Sequence, residues 1–114
     1  MKTRTTRTLI LIIAMLSAAF GLAAATPDDK PASEVAVKID NFSFSPATIT
    51  VPVGTTVRWT NHDDIPHTVV SDDKVFKSKV LDTDEQFTYT FTKPGTYSYF
   101  CSVHPKMTGK VVVQ

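Results

Sequence analysis

An all-β Greek-key sandwich of about eight strands is the fold this sequence predicts, and three observations predict it. From Val35 to Gln114 no stretch carries helical periodicity over the length of a helix. Apolar residues alternate instead with polar ones in short runs, the signature of half-buried strands. Pro, Gly, Asn and Asp interrupt those runs at close intervals, as the turns of a sandwich require.

Taken in order, Val35, Val37 and Ile39 alternate with Ala36 and Lys38 and define the first strand. Asn41-Phe42-Ser43-Phe44-Ser45-Pro46 continues as an irregular edge, and Thr48-Ile49-Thr50-Val51 follows it. Pro52-Val53-Gly54 makes a turn into Thr55 to Thr60, a strand built around Val57 and Trp59, with Trp59 assigned to the core. His67 to Ser71 is a β-branched segment expected to bring His67 in on a strand, and Asp72, Asp73 and Lys74 begin a solvated loop through Val75, Phe76 and Leu81. Phe87, Tyr89 and Phe91 alternate as the next strand. Lys93-Pro94-Gly95 then turns into Thr96 to Cys101, whose period of two sets Tyr97, Tyr99 and Cys101 on one face. Gly95-Thr96-Tyr97 has the pattern of a tyrosine corner, in which the phenol bonds back to backbone. Lys110 to Gln114 closes the sheet.

Upstream of this domain the chain changes character. Lys2, Arg4 and Arg7 precede an apolar run from Leu9 that resumes through Phe20 and ends in Ala23-Ala24-Ala25. That is the build of a secretory signal peptide over residues 1–25, too short in its apolar part for a comfortable membrane span. The arginines are separated and no cysteine follows the cleavage region, so neither a twin-arginine signal nor a lipid anchor is indicated. Residues 26–34, rich in Pro, Asp and Ala, are expected to be a flexible start, with one domain over residues 35–114. Without the leader's three cations, nine basic side chains face eleven acidic ones, a net charge of −2. That balance disfavours nucleic acid as a partner.

The exported part holds one cysteine and one methionine, both within Cys101-Ser102-Val103-His104-Pro105-Lys106-Met107. A disulfide within the chain is therefore impossible, and a lone exported thiol is an oxidation liability unless something ligates it. A thiolate with two imidazoles and a weak axial thioether is the ligand set of a blue-copper electron-transfer centre. Cys101, His104 and Met107 supply three of the four donors at spacings of three and three. His62 and His67 compete for the fourth place. His62 sits in the polar cluster Asn61, Asp63, Asp64, which has turn character, whereas His67 follows Pro66 and opens the β-branched segment. The expected copper ligands are thus His67, Cys101, His104 and Met107, at one end of the sandwich.

Three other readings compete. Copper storage, delivery or resistance would use the same donors without electron transfer, although such carriers favour Met- and His-rich clusters that this chain lacks. A Cys101–His104 hydrolase would need an oxyanion hole and an orienting third group, and no motif supplies them. A zinc site of Cys101, His67 and His104 would leave Met107 without a role.

At these residues the chain resembles the cupredoxins, the small type 1 copper proteins, and among them the amicyanins. The resemblance covers Val35 to Gln114. It rests on Asn41 to Pro46, Gly54 to Asn61, Pro66-His67-Thr68-Val69, Gly95 to Cys101 and the short Cys101-x2-His104-x2-Met107 loop. It implies a monomeric, non-enzymatic periplasmic protein with one copper per chain. It also implies electron shuttling between a dehydrogenase or another donor and a c-type cytochrome or oxidase, by brief docking near His104. An apolar patch of Pro66, Pro105 and Met107 around that imidazole is expected. One position departs from the family: Asn commonly follows the upstream histidine and braces the two ligand loops, and here Thr68 stands there with a shorter reach.

Overall fold

The alternation in the sequence becomes two facing sheets. A computed structural model describes residues 33–114, which form eight strands and no helix. These are β1 (Glu34–Asp40), β2 (Ser43–Ser45), β3 (Thr48–Val51), β4 (Thr56–Asn61), β5 (Val70–Ser71), β6 (Gln86–Thr90), β7 (Gly95–Phe100) and β8 (Thr108–Val113). One sheet runs β2-β1-β4-β6 and the other β3-β8-β7-β5. Each mixes one parallel pair, β1 with β4 or β3 with β8, with antiparallel neighbours. The all-β sandwich of about eight strands is what the sequence predicted. The segment 1–25, read as a leader, lies outside the described residues. Of residues 26–34 only Ser33 and Glu34 are described, and Glu34 is paired with Thr56 at the start of β1 rather than belonging to a flexible start.

The period of two decides which side chains meet between the sheets. Val37 and Ile39 of β1 and Val57 and Trp59 of β4 face Val51, Tyr99, Val111 and Val113 from the opposite sheet, all buried. Burying each such aliphatic side chain is worth about 1.5–3 kcal/mol. With no disulfide, that core carries the domain. Trp59 is fully buried, with Tyr99 edge-on at 5.4 Å and the rings of Phe76 and Phe87 each at 5.6 Å.

Two local devices fix the connections that lead into β7 and β4. The Tyr97 hydroxyl donates to the Lys93 carbonyl at 2.8 Å, which is the tyrosine corner predicted from the turn-plus-Tyr pattern. At the other end of the chain's turn chemistry, Gly54 adopts φ +93°, a conformation open to glycine, while Thr55 closes the turn on the Pro52 carbonyl. One expectation needs correction. His67 to Ser71 is not a continuous strand: only Val70–Ser71 pair with β7, and His67 meets Leu81 in an isolated bridge. The reason is a side chain. The Thr68 N–H, next in line toward β7, goes to the Cys101 sulfur at 3.3 Å, so the ladder stops at Val70, while on the opposite edge Ser78 Oγ accepts the Val69 N–H at 2.8 Å.

Candidate metal centre

The site is assembled from two chain segments that approach at one end of the sandwich. The upstream segment leaves β4 at Asn61, which is fully buried yet satisfied: its Nδ2 donates to the Ile65 and Leu81 carbonyls at 2.9 Å each, and its Oδ1 accepts the Asp63 N–H at 2.8 Å. This amide shapes the turn that delivers His67. Two backbone bonds with Leu81, at 3.1 and 2.8 Å, then fix His67 in place. The downstream segment leaves β7 at Cys101. Its N–H donates to the Met107 carbonyl at 3.0 Å and the Met107 N–H to the His104 carbonyl at 2.9 Å, so the ligand loop is tied to itself before β8 begins.

Three donor atoms converge there. Nδ1 of His67 lies 3.7 Å and Nδ1 of His104 3.9 Å from the Cys101 sulfur, and all three atoms fall within 4.8 Å of one another. Bonds of about 2.3 Å to sulfur and about 2.0 Å to nitrogen, as zinc makes, set ~120° apart separate sulfur from nitrogen by about 3.7 Å. The observed spacing fits a trigonal metal. Met107 is 6% exposed and packs in the core beside them. His62, the competitor for the upstream place, is exposed and outside the group.

The thiol is prepared for ligation. Burial pushes Cys101 up, but the Thr68 N–H at 3.3 Å, together with His67 and His104, outweighs it and brings the thiol down to about 6. A thiolate is the form that binds metal. The Thr68 hydroxyl ties the two ligand segments together: it accepts the Ser102 N–H at 2.7 Å and pairs with Ser102 Oγ at 2.7 Å. The first of these bonds needs only backbone at residue 102, and the serine hydroxyl adds the second.

Asp63 lies in the turn read from Asn61, Asp63 and Asp64, but it is buried there. Its Oδ2 lies 2.9 Å from His67 Nε2 and also accepts the Phe42 N–H at 3.2 Å. The bond from His67 is the main cause holding this carboxyl at about 2; burial opposes it, and the Phe42 and Asp64 amides assist. An ionised carboxylate only accepts, so Nε2 of His67 carries a proton, which leaves Nδ1 as the nitrogen that faces Cys101 and would take a metal. No sequence signal marked this pair, because a carboxylate four residues before a histidine faces it in a loop only if the loop turns that way.

Phe42 was also missed. Asn41 and Phe42 both have positive φ, 49° and 55°, a conformation that costs a residue of this kind on the order of 1–3 kcal/mol. The turn aims the Phe42 ring edge-on at both imidazoles, 5.8 Å from His67 and 5.0 Å from His104. The apolar surface around His104 accordingly differs from the expected one. Pro66 and Pro105 are exposed as foreseen, but Met107 is buried, and Phe42 at 52% and Val103 at 47% exposure supply the apolar area.

Comparison with known proteins agrees with this geometry. The chain matches the family described as Cupredoxin-like domain over residues 9–113. It is 34% identical over 110 residues to amicyanin-alpha of Methylorubrum extorquens, covering 90% of this chain and 92% of that one. Plastocyanin of Tetradesmus obliquus is 38% identical over 84 residues, covering 62% and 58%. Among solved structures, a purple cupredoxin from Nitrosopumilus maritimus superposes with a TM-score of 0.66 at 35% identity, covering 72% of this chain and 99% of that one.

Proposed function

The chain belongs to the cupredoxin family, and from that premise we propose that it is a periplasmic blue copper protein that passes single electrons between a donor and an acceptor protein. Its cofactor is one type 1 copper, as in the family, and the chain is a small electron carrier. In this reading His67 Nδ1, Cys101 Sγ and His104 Nδ1 would hold the copper, with the Met107 thioether as a weaker fourth donor. The observation that carries it is the convergence of those three donor atoms, with the Thr68 N–H aimed at the sulfur.

Copper supplies the one-electron Cu(II)/Cu(I) couple. The chain's own residues keep that exchange cheap in rearrangement. Cys101 and His67 are wholly buried, each tied by backbone bonds, so neither can follow a change in preferred geometry far. The Thr68–Ser102 bonds lock the two ligand segments to each other. His104, alone of the three, is partly exposed, with the exposed Phe42 ring 5.0 Å from it and the exposed Val103 and Pro105 as its neighbours in the chain. Exposed apolar side chains there favour brief docking, and the partners we assign are a dehydrogenase, a c-type cytochrome or an oxidase. Four protein donors leave no position open for a substrate, which argues for a carrier over an enzyme. Residues 1–25 are the leader that takes the chain to the periplasm.

The test is the visible spectrum of the processed protein after Cu(II) and then a reductant. An intense thiolate-to-copper band should appear, bleach on reduction and return on oxidation, and it should be absent from Cys101→Ala. Bound copper without that band would make copper handling the better reading.

A further inference from the structure

The strained Phe42 turn and the buried Asp63 carboxylate share one atom. Oδ2 of Asp63 takes the proton-bearing Nε2 of His67 at 2.9 Å and the Phe42 N–H at 3.2 Å. The rest of Asp63 is immobilised around that oxygen: Oδ1 accepts the Asp64 N–H at 3.0 Å, its own N–H donates to Asn61 Oδ1 at 2.8 Å, and its carbonyl accepts from Thr83 at 2.6 Å. Phe42 in turn sets its ring against both His67 and His104. Two residues in consecutive left-handed conformations, held by a carboxylate that also holds a candidate ligand, indicate a built device rather than a chance turn.

We propose that Asp63 is a positioning residue that, through one carboxylate oxygen, orients and electronically enriches His67 while holding the Phe42 ring over the two imidazoles. The inference rests on the copper reading above. A carboxylate accepting from the outer nitrogen of a ligand imidazole fixes its tautomer and raises its basicity. A stronger nitrogen donor favours Cu(II) over Cu(I), so Asp63 holds the reduction potential down.

Asp63→Asn keeps the shape and an acceptor oxygen but removes the charge. Cu(II) affinity should fall about 10-fold or more, the range for outer partners of ligands. Cu(I) affinity should change less. Each tenfold selective loss of Cu(II) raises the potential by about 59 mV for a one-electron couple. Asp63→Glu, which restores the anion, should recover part of the shift. Should the substituted chains fail to fold, the wild-type Cu(I) protein still decides the matter by nitrogen-15 NMR. His67 must show a slowly exchanging Nε2 proton, and the Phe42 amide must exchange slowly. A blue Asp63→Asn protein with unchanged potential, or a wild-type His67 without that proton, overturns the proposal and leaves the copper reading intact. A wild-type protein that never turns blue overturns the copper reading itself.

Discussion

Replacing Gly109 with alanine tests whether the β7–β8 ladder and the aromatic core are as tightly joined as the structure has them. Gly109 pairs with Tyr99, and a Cβ built on it would come 2.7 Å from Tyr99 Cε2 and closer still to Cζ and the hydroxyl. Ordinary carbon contacts lie at about 3.5–4.0 Å, so the ring must retreat by roughly 1 Å. It has nowhere to go. Tyr99 is 1% exposed, with Phe44 at 4.7 Å and Trp59 at 5.4 Å on its other sides. Overpacking of this kind costs about 1–3 kcal/mol, and we place this site toward about 3 because both neighbours are themselves buried. For a domain of this size each kcal/mol is worth about 4–8 °C in Tm, so metal-free Gly109→Ala should melt more than about 10 °C below wild type. Tyr99 is also two residues before Cys101, so the visible band of the copper-loaded variant should shift. A metal-free variant within about 2 °C of wild type would refute the packing argument, since the smallest cost in that range already exceeds it.

Thr68→Ala removes the hydroxyl that meets Ser102 twice while leaving the Thr68 N–H on the sulfur. It should cost about 1–2 kcal/mol in urea unfolding of the metal-free protein, with Thr68→Ser recovering most of it, and no change in midpoint would contradict the brace. For Cys101, burial acts upward, yet the Thr68 amide and the two imidazoles leave the folded thiol at about 6, below the unfolded value of about 8.5. Because the folded value is the lower one, the stability it contributes is full above about 8.5 and is lost as pH falls through about 6. Ultraviolet thiolate absorbance of the metal-free protein, with Cys101→Ser as blank, should show the midpoint near 6; a midpoint above 8 would refute it.

What was legible in the sequence was what depends on near neighbours. Cys101, His104 and Met107 lie within one loop, so their spacing alone announces a common centre, and Trp59 and Tyr99 follow from alternation on strands. The tyrosine corner at Tyr97 is equally local, its acceptor four residues away at Lys93. What was not legible depends on which distant segments come face to face. Asp63 and Phe42 are 21 residues apart, and Thr68 and Ser102 are 34 apart. Residue types cannot show that such pairs touch. The same holds for Met107, whose place in the core rather than on the surface follows from the ligand loop folding back on Cys101. Ser78, whose hydroxyl accepts the Val69 N–H, lies in a stretch whose charges suggest only solvent.

The parallel pairing of β3 with β8, Thr48 opposite Lys110, sets an order of events for the chain. Contacts so distant along the chain close slowly and late. The ligand loop is closed on its far side by β8, which pairs with both β7 and β3, so it is fully held only once both ladders are in place. Without the Thr68 amide and the imidazoles the cysteine is an ordinary thiol, mostly protonated at neutral pH and slow to react. Its reactive form thus arises only in a finished domain, at the moment two imidazoles stand beside it. A cysteine open to oxidation in an unfolded chain is kept quiet by the same topology that later sets it between two imidazoles.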